Sequence, residues 1–256
     1  MRDSEHSGLA ARLEDMCSLA EKRGRPVYSS FLNDREQYEA QKLLGKRFGI
    51  SIVFWGGDEA CVRRMLQVSV GEPEQGEPDH SDFPIYPVSL SFRKADRPEH
   101  RDILGAFMGL GIERETVGDI FIGEGAAAVF CTKTARDMIC DCITTVGRIG
   151  VTVTDGLTDS ARSAVRPAEF KEITINAASL RADCIVGGIT GLSREKSAEL
   201  IRSGNFMLNY AECDSISKQL AEGDVLTIRG WGKFIMTGDI TVTKKGRIRL
   251  VIKKYA

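Results

Sequence analysis

Three observations on this 256-residue chain predict an α+β fold: apolar residues at helical spacing in the first fifty positions, strand-like and helix-like stretches in the order βαββαβ through the middle, and a C-terminal third of short helices and bent strands. A hydrophobic content of 42% supports buried cores, and the length suits one large or two to three small domains. The expected parts are a mainly helical region over 1–70, an acidic linker over 71–82, the βαββαβ domain over 83–155 and a C-terminal domain over 172–256.

Leu9, Leu13, Met16, Leu19 and Ala20 recur at helical spacing, and Gly24-Arg25-Pro26 breaks that run. Asn33 or Asp34 can cap a second helix, with Glu36 in its first turn and Gly49 at its end. Ser51 to Trp55 is expected to be a buried strand and Asp58 to Val68 a short helix. The stretch GEPEQGEPDHSD, Gly71 to Asp82, carries two prolines, two glycines and five acids, the composition of a linker. Strands then follow at Ile85–Phe92, Asp119–Ile122, Ala126–Cys131 and Ile149–Thr154, with helices at Pro98–Leu110 and Thr134–Val146. That order is the ferredoxin-like split unit, which many RNA-recognition domains share without fold establishing function. Its third strand offers one aromatic residue, Phe130, whose expected role is packing rather than base stacking.

Composition and motifs exclude several function classes. No apolar run nears the roughly 18 to 20 residues of a membrane span, and Met1 to Ala20 mixes charges into its apolar positions, so the expectation is a soluble, cytoplasmic protein with no membrane partner. The seven cysteines are scattered and lack CxxC spacing, which argues against a disulfide framework and a zinc knuckle. His6, His80 and His100 lie far apart, and no catalytic constellation is apparent. Gly187-Gly188-Ile189-Thr190-Gly191 and Gly123-Glu124-Gly125 fit no phosphate-binding fingerprint and are expected to be turns. No cofactor, metal site or catalytic residue is predicted.

The net charge of −1 divides unevenly. Residues 1–170 hold 21 basic against 27 acidic side chains, or −6, and residues 171–256 hold 14 against 9, or +5. Such asymmetry points to a basic end that meets a polyanion, or to an ordinary solvated surface. In that end Arg181 begins a short apolar helix, and Ser193 caps a second one, Arg194 to Ser203. Arg194 falls at the edge of the apolar face, where it either snorkels to water or grips a phosphate. Strands are expected at Phe206–Asn209, Asp224–Arg229 and Lys233–Met236, and Ile240 to Tyr255 is expected to form a hairpin turning at Lys244-Lys245-Gly246. Alternation on its second strand sets Arg247, Arg249 and Lys253 on one face, and Ile248, Leu250 and Ile252 on the other.

The runs Ser179-Leu180-Arg181-Ala182-Asp183, Leu192-Ser193-Arg194-Glu195-Lys196-Ser197-Ala198-Glu199-Leu200-Ile201-Arg202-Ser203-Gly204, Leu208-Asn209 and Glu222 to Phe234 resemble the S4-type RNA-binding domain of ribosomal and RNA-modifying proteins. Two departures stand out: the family's usual Arg-Leu-Asp is Arg181-Ala182-Asp183, and its Val-Asn-Gly is Leu208-Asn209-Tyr210. Together with the helix start at Phe31 to Gln37, the run His100 to Ala106 and the ending Thr243 to Arg247, the whole chain resembles the bacterial YlmH-type RNA-binding proteins. The resemblance implies a cytoplasmic, non-catalytic factor that binds rRNA of the large ribosomal subunit and tRNA in quality control of stalled translation. It further implies that Arg181, Ser193, Arg194, Lys196 and Lys233 line the RNA surface, extended by Arg229, Lys244, Lys245 and Arg247. Protein contacts through the acidic N-terminal part are compatible with this. The alternative is an RNA-modifying enzyme of the pseudouridine synthase kind using the same domain for capture. Its Gly-Arg-Leu-Asp-like motif has only Gly147-Arg148-Ile149-Gly150 as counterpart, which lacks the acid. The HIGH-like and KMSKS-like signatures of a tyrosyl-tRNA synthetase are absent.

Overall fold

The computed structural model describes residues 2–71, 80–167, 169–242 and 246–255, with side chains from residue 8 onward. Most of the acidic linker, 72–79, and the lysines expected at the hairpin turn, Lys244 and Lys245, lie outside the described residues. The chain forms a mixed α/β structure of two units, 1–167 and 168–256.

The first unit opens with α1 (Arg2–Arg23), whose Leu9, Leu13, Cys17 and Ala20 form one buried stripe. Gly24 stops it at φ 59, a conformation that favours glycine. A strand not anticipated from the sequence follows, β1 (Val27–Leu32), then α2 (Asp34–Leu44), β2 (Ile50–Trp55) and β3 (Arg64–Val70). Asn33 caps α2 by accepting the Glu36 N–H at 3.0 Å while the Glu36 carboxylate accepts the Asn33 N–H at 2.8 Å. The expected helix over 58–68 is therefore corrected: β3 is the centre of an antiparallel sheet ordered β1-β3-β2. Leu66, Val68 and Val70 alternate with Gln67 and Ser69, a two-residue period that fits this strand and that the helical reading passed over.

A four-stranded antiparallel sheet ordered β5-β6-β4-β9 comes next, from β4 (Tyr86–Ser91), β5 (Val117–Ile122), β6 (Ala126–Cys131) and β9 (Thr152–Asp155). Helix α3 (His100–Gly109) connects β4 to β5, and α4 (Lys133–Cys142) connects β6 to β9 by way of the small pair β7 (Thr145–Val146) and β8 (Ile149–Gly150). The helix expected to reach Val146 thus ends four residues earlier. Phe130 on β6 is buried with Phe31, Met65 and Phe83, and its ring fills the space that a side chain at Gly57 would need. It packs the two sheets of this unit together and is unavailable to a nucleobase. The short α5 (Asp159–Arg162) closes the unit.

The second unit holds β10 (Phe170–Ala177), α6 (Ala182–Thr190), α7 (Arg194–Arg202), β11 (Phe206–Leu208), β12 (Ala211–Glu212), β13 (Val225–Ile228), β14 (Gly232–Val242) and β15 (Ile248–Tyr255). Its sheet runs β10-β15-β14-β13-β11-β12, with Ile185, Val186 and Ile201 of the helices packed on Phe206, Leu226, Phe234, Leu250 and Ile252. The turn expected at Gly187-Gly188 is instead helical. A Cβ at Gly188 would lie 2.9 Å from the Ile175 side chain and one at Gly187 would lie 3.2 Å from the Ser197 hydroxyl, so both glycines serve close packing of α6. The turn itself falls at Gly191, φ 73. On β15, Leu250 and Ile252 are buried and Arg249 is exposed, as two-residue alternation requires.

Candidate nucleic-acid interface

The chemistry of the second unit centres on Asp183. It occupies the first turn of α6, where a carboxylate suits the helix N-terminus, and it is only 1% exposed. Arg181, the residue capping α6, donates to it through Nε at 3.0 Å and Nη2 at 3.1 Å. Arg194, the first residue of α7, donates through Nε at 3.2 Å. The Arg181 guanidinium, then that of Arg194, holds the Asp183 carboxyl below the usual carboxylate range against the opposing effect of burial. The same bond raises Arg181. One anion thus ties down two cations, which leaves a net positive charge at this corner. The Arg194 side chain remains 73% exposed, using a single nitrogen inward and presenting its outer face to solvent.

The start of α7 is built to the same end. The Ser193 hydroxyl accepts the Lys196 N–H at 3.3 Å, and the buried Ser197 donates to the Ser193 carbonyl at 2.9 Å. Lys196 stands exposed beside this cap. A groove of about 300 Å³ lined by Asp183, Cys184, Gly187, Leu192, Arg194 and Arg247 joins the helix pair to the last strand's approach. Arg194 and Arg247, far apart in sequence, are brought to one concavity.

Two of the expected residues are placed elsewhere. Lys233 is half-buried on β14, its ammonium 4.8 Å from the Tyr210 ring centroid and 4.7 Å from that of Tyr255. Tyr210 and Asn209 have positive φ, 68 and 49, in a turn secured by Asn209 donating to Asp224 at 2.8 Å and accepting the Val225 N–H at 2.9 Å. Arg229 is exposed at the β13–β14 turn and does not line the groove. The sequence reading gave no role to Asp183 or to the two tyrosines. An arginine followed two positions later by an aspartate at a helix start was the available signal for the first.

The first unit contains a second carboxylate among arginines. Asp119 accepts the backbone N–H groups of Val62 at 2.6 Å and Arg63 at 2.7 Å. Burial pushes its carboxyl up despite those bonds and the nearby Arg63 and Arg114. The arginines bond to main chain instead: Arg63 donates to the carbonyls of Val117 and Phe31, and Arg114 to those of Val117 and Gly118. Burial lowers both guanidiniums and His100, which also faces Arg114. No group of His, Cys, Asp and Glu among the described residues is arranged to hold a metal ion. No helix among them is long and apolar enough to cross a membrane.

Comparison with known proteins bears on both units. Residues 78–159 match the family model described as "Putative RNA-binding domain in YlmH". The chain is 29% identical over 240 residues to the ribosome-associated protein quality control protein P2 of Bacillus subtilis (strain 168), covering 92% of this chain and 90% of that protein. A solved structure, the cell division protein ylmH from Streptococcus pneumoniae, superposes with a TM-score of 0.51 at 20% identity over 60% of this chain and 92% of that one, a likeness of fold. Residues 78–159 thus resemble the RNA-binding domain of YlmH, and the chain as a whole is similar to the Bacillus protein. The matched RNA-binding domain lies in the first unit, whereas the residues singled out from sequence lie in the second.

Proposed function

We propose that this chain is a non-catalytic, cytoplasmic RNA-binding protein of the ribosome that holds structured rRNA of the large subunit and tRNA during quality control of stalled translation. The name of the Bacillus relative and the match over 78–159 support ribosome-associated RNA binding. We read the βαββαβ part as ferredoxin-like and the second unit as an S4-type domain. The observation that carries the siting is the buried Asp183 anchoring Arg181 and Arg194, with Arg194 open to solvent and Arg247 on the same groove. Guanidiniums fixed in this way, beside the N–H groups of the α7 start, fit phosphate oxygens spaced along folded RNA. The 2′-hydroxyls then mark the partner as RNA.

The test is co-sedimentation of the full chain with ribosomes across a salt series. Changing Arg194 and Lys196 together to Glu is expected to weaken binding at least about tenfold and to lower the salt slope by about 1 to 2. The comparison variant is Lys94→Glu, exposed in the first unit's β4–α3 loop, which is expected to leave binding unchanged. The reverse pattern would move the RNA contact into the first unit. Uridine isomerisation or methyl transfer by the purified chain would replace this reading with that of an RNA-modifying enzyme.

A further inference from the structure

We propose that the outer edge of β2 pairs antiparallel with β2 of a second copy of this chain, joining two three-stranded sheets into one. The hydrogen-bond phase defines that edge. Gly71 N–H donates to the Gly49 carbonyl at 3.0 Å, so Gly49, Ser51, Val53 and Trp55 turn their main-chain groups toward β3. Ile50, Ile52 and Phe54 therefore turn theirs outward. The Ile50 N–H is used locally, donating to the Arg47 carbonyl at 3.3 Å. Among the described residues the Ile52 and Phe54 N–H groups and the carbonyls of all three have no strand beside them.

Open sheet edges are ordinarily blunted by charge, bulges or brevity, and the other sheet edges among the described residues follow that rule. β1 has a bulge between Tyr28 and Phe31, with Arg63 on the Phe31 carbonyl. β5 has a bulge between Val117 and Ile120, and arginines occupy its Val117 and Gly118 carbonyls. β9 has four residues and ends on Asp155, which pairs with Arg136. β10 presents Lys171 and Glu172 at exposed positions, and β12 has two residues. Among the edge strands of the described residues, β2 alone is six residues long, uncharged and proline-free with an unbroken ladder on its inner side.

The occupant follows from the symmetry of the vacant groups. Centring an antiparallel pair on Ile52 makes the two Ile52 residues exchange both bonds, and each Phe54 N–H then meets the other copy's Ile50 carbonyl. The Ile50 N–H, already engaged, ends the ladder. No like charges oppose each other, because the strand has none. Ile50, Ile52 and Phe54 already pack on the α1 core, so their partly open flanks become cross-strand apolar pairs.

Sedimentation velocity of the full chain across a concentration series is expected to shift toward twice the 28.1 kDa chain mass. In parallel, hydrogen exchange at the Ile52 and Phe54 amides should slow as concentration rises, while other amides stay constant. Ile52→Pro removes the central donor and should abolish the dimer. Because proline in a strand can unfold the sheet, Ser51→Lys, at a polar and partly exposed position that the register sets opposite the second copy's Val53, provides the second variant, expected to weaken dimerisation at least tenfold. A chain that remains monomeric up to about 0.1 mM with concentration-independent exchange at Ile52 and Phe54 overturns the proposal. So does slow exchange at those amides in a monomer, which would mean that another part of the same chain covers the edge.

Discussion

Asp183 and Asp119 are both carboxylates set among two arginines, yet the two sites divide their hydrogen bonds in opposite ways. Asp183 takes its bonds mainly from guanidiniums, and its carboxyl is stabilised as an anion. Asp119 takes its bonds from two main-chain N–H groups, and its arginines serve carbonyls, so burial wins and its carboxyl is raised. The first arrangement aims cations at solvent. The second spends them on joining β1, β3 and β5 within one unit. A cluster of charges is an interface or a fastener according to which atoms its donors meet, and residue identity does not decide between them.

The largest expected effect is on the fastener. Asp119→Ala removes the acceptor of two main-chain donors, one on exposed Val62 and one on half-buried Arg63, and should destabilise the first unit by about 2 to 3 kcal/mol in a urea melt. Asp119→Asn, which keeps an acceptor and removes the charge that burial disfavours, should cost clearly less. RNA affinity should stay constant for both once the protein is folded, and a change in salt slope would break the contrast. Next in size is Asp183→Asn. It should cost about 1 to 2 kcal/mol, since both guanidiniums are partly in water. It should also weaken ribosome binding by freeing Arg194 from its fixed orientation. The sign of the pH dependence sharpens this. A depressed folded pKa gives stability that is present above the unfolded carboxylate value near about 4 and is lost as pH falls through the folded value. Wild type and Asp183→Asn should therefore differ at neutral pH and converge in acid. Asp119 carries the opposite sign, its folded form gaining as pH falls from its raised value toward the unfolded one. The smallest effect expected is Asn33→Ala, a lost cap worth about 1 kcal/mol in the melt of the first unit with no change in RNA binding.

Much of the second unit was legible because its signals are local. Ser193 caps α7, Arg181 opens α6, and the alternation on β15 separates Leu250 and Ile252 from Arg249. What the sequence hid was set by tertiary neighbours. The central position of β3 between β1 and β2 is such a fact, although its Leu66-Gln67-Val68-Ser69-Val70 alternation was legible, and β1 was absorbed into a helical reading of the first fifty residues. Gly187 and Gly188 carry the composition of a turn, yet Ser197 and Ile175 press against them and make small residues necessary within a helix. At the candidate site, basic residues could be named from sequence, but their availability could not. Lys233 between two tyrosine rings and Arg194 on Asp183 are facts of packing.

The hairpin of β14 and β15 has a mechanical consequence. Its regular ladder is interrupted between Met236 and Ile240, where Thr237 donates to the Val251 carbonyl at 2.6 Å and Gly238 lies against the Glu222 carboxylate. Beyond that break the strand is exposed through Val242. Over the same stretch β15 stays paired with β10, Leu250 with Ile175 and Ile248 with Ala177, so Ile240 to Val242 lean on a strand that is held from its other side. The interruption at Thr237–Asp239 therefore bends β14 alone, and the main chain that carries Arg249 keeps its place from the β10 side.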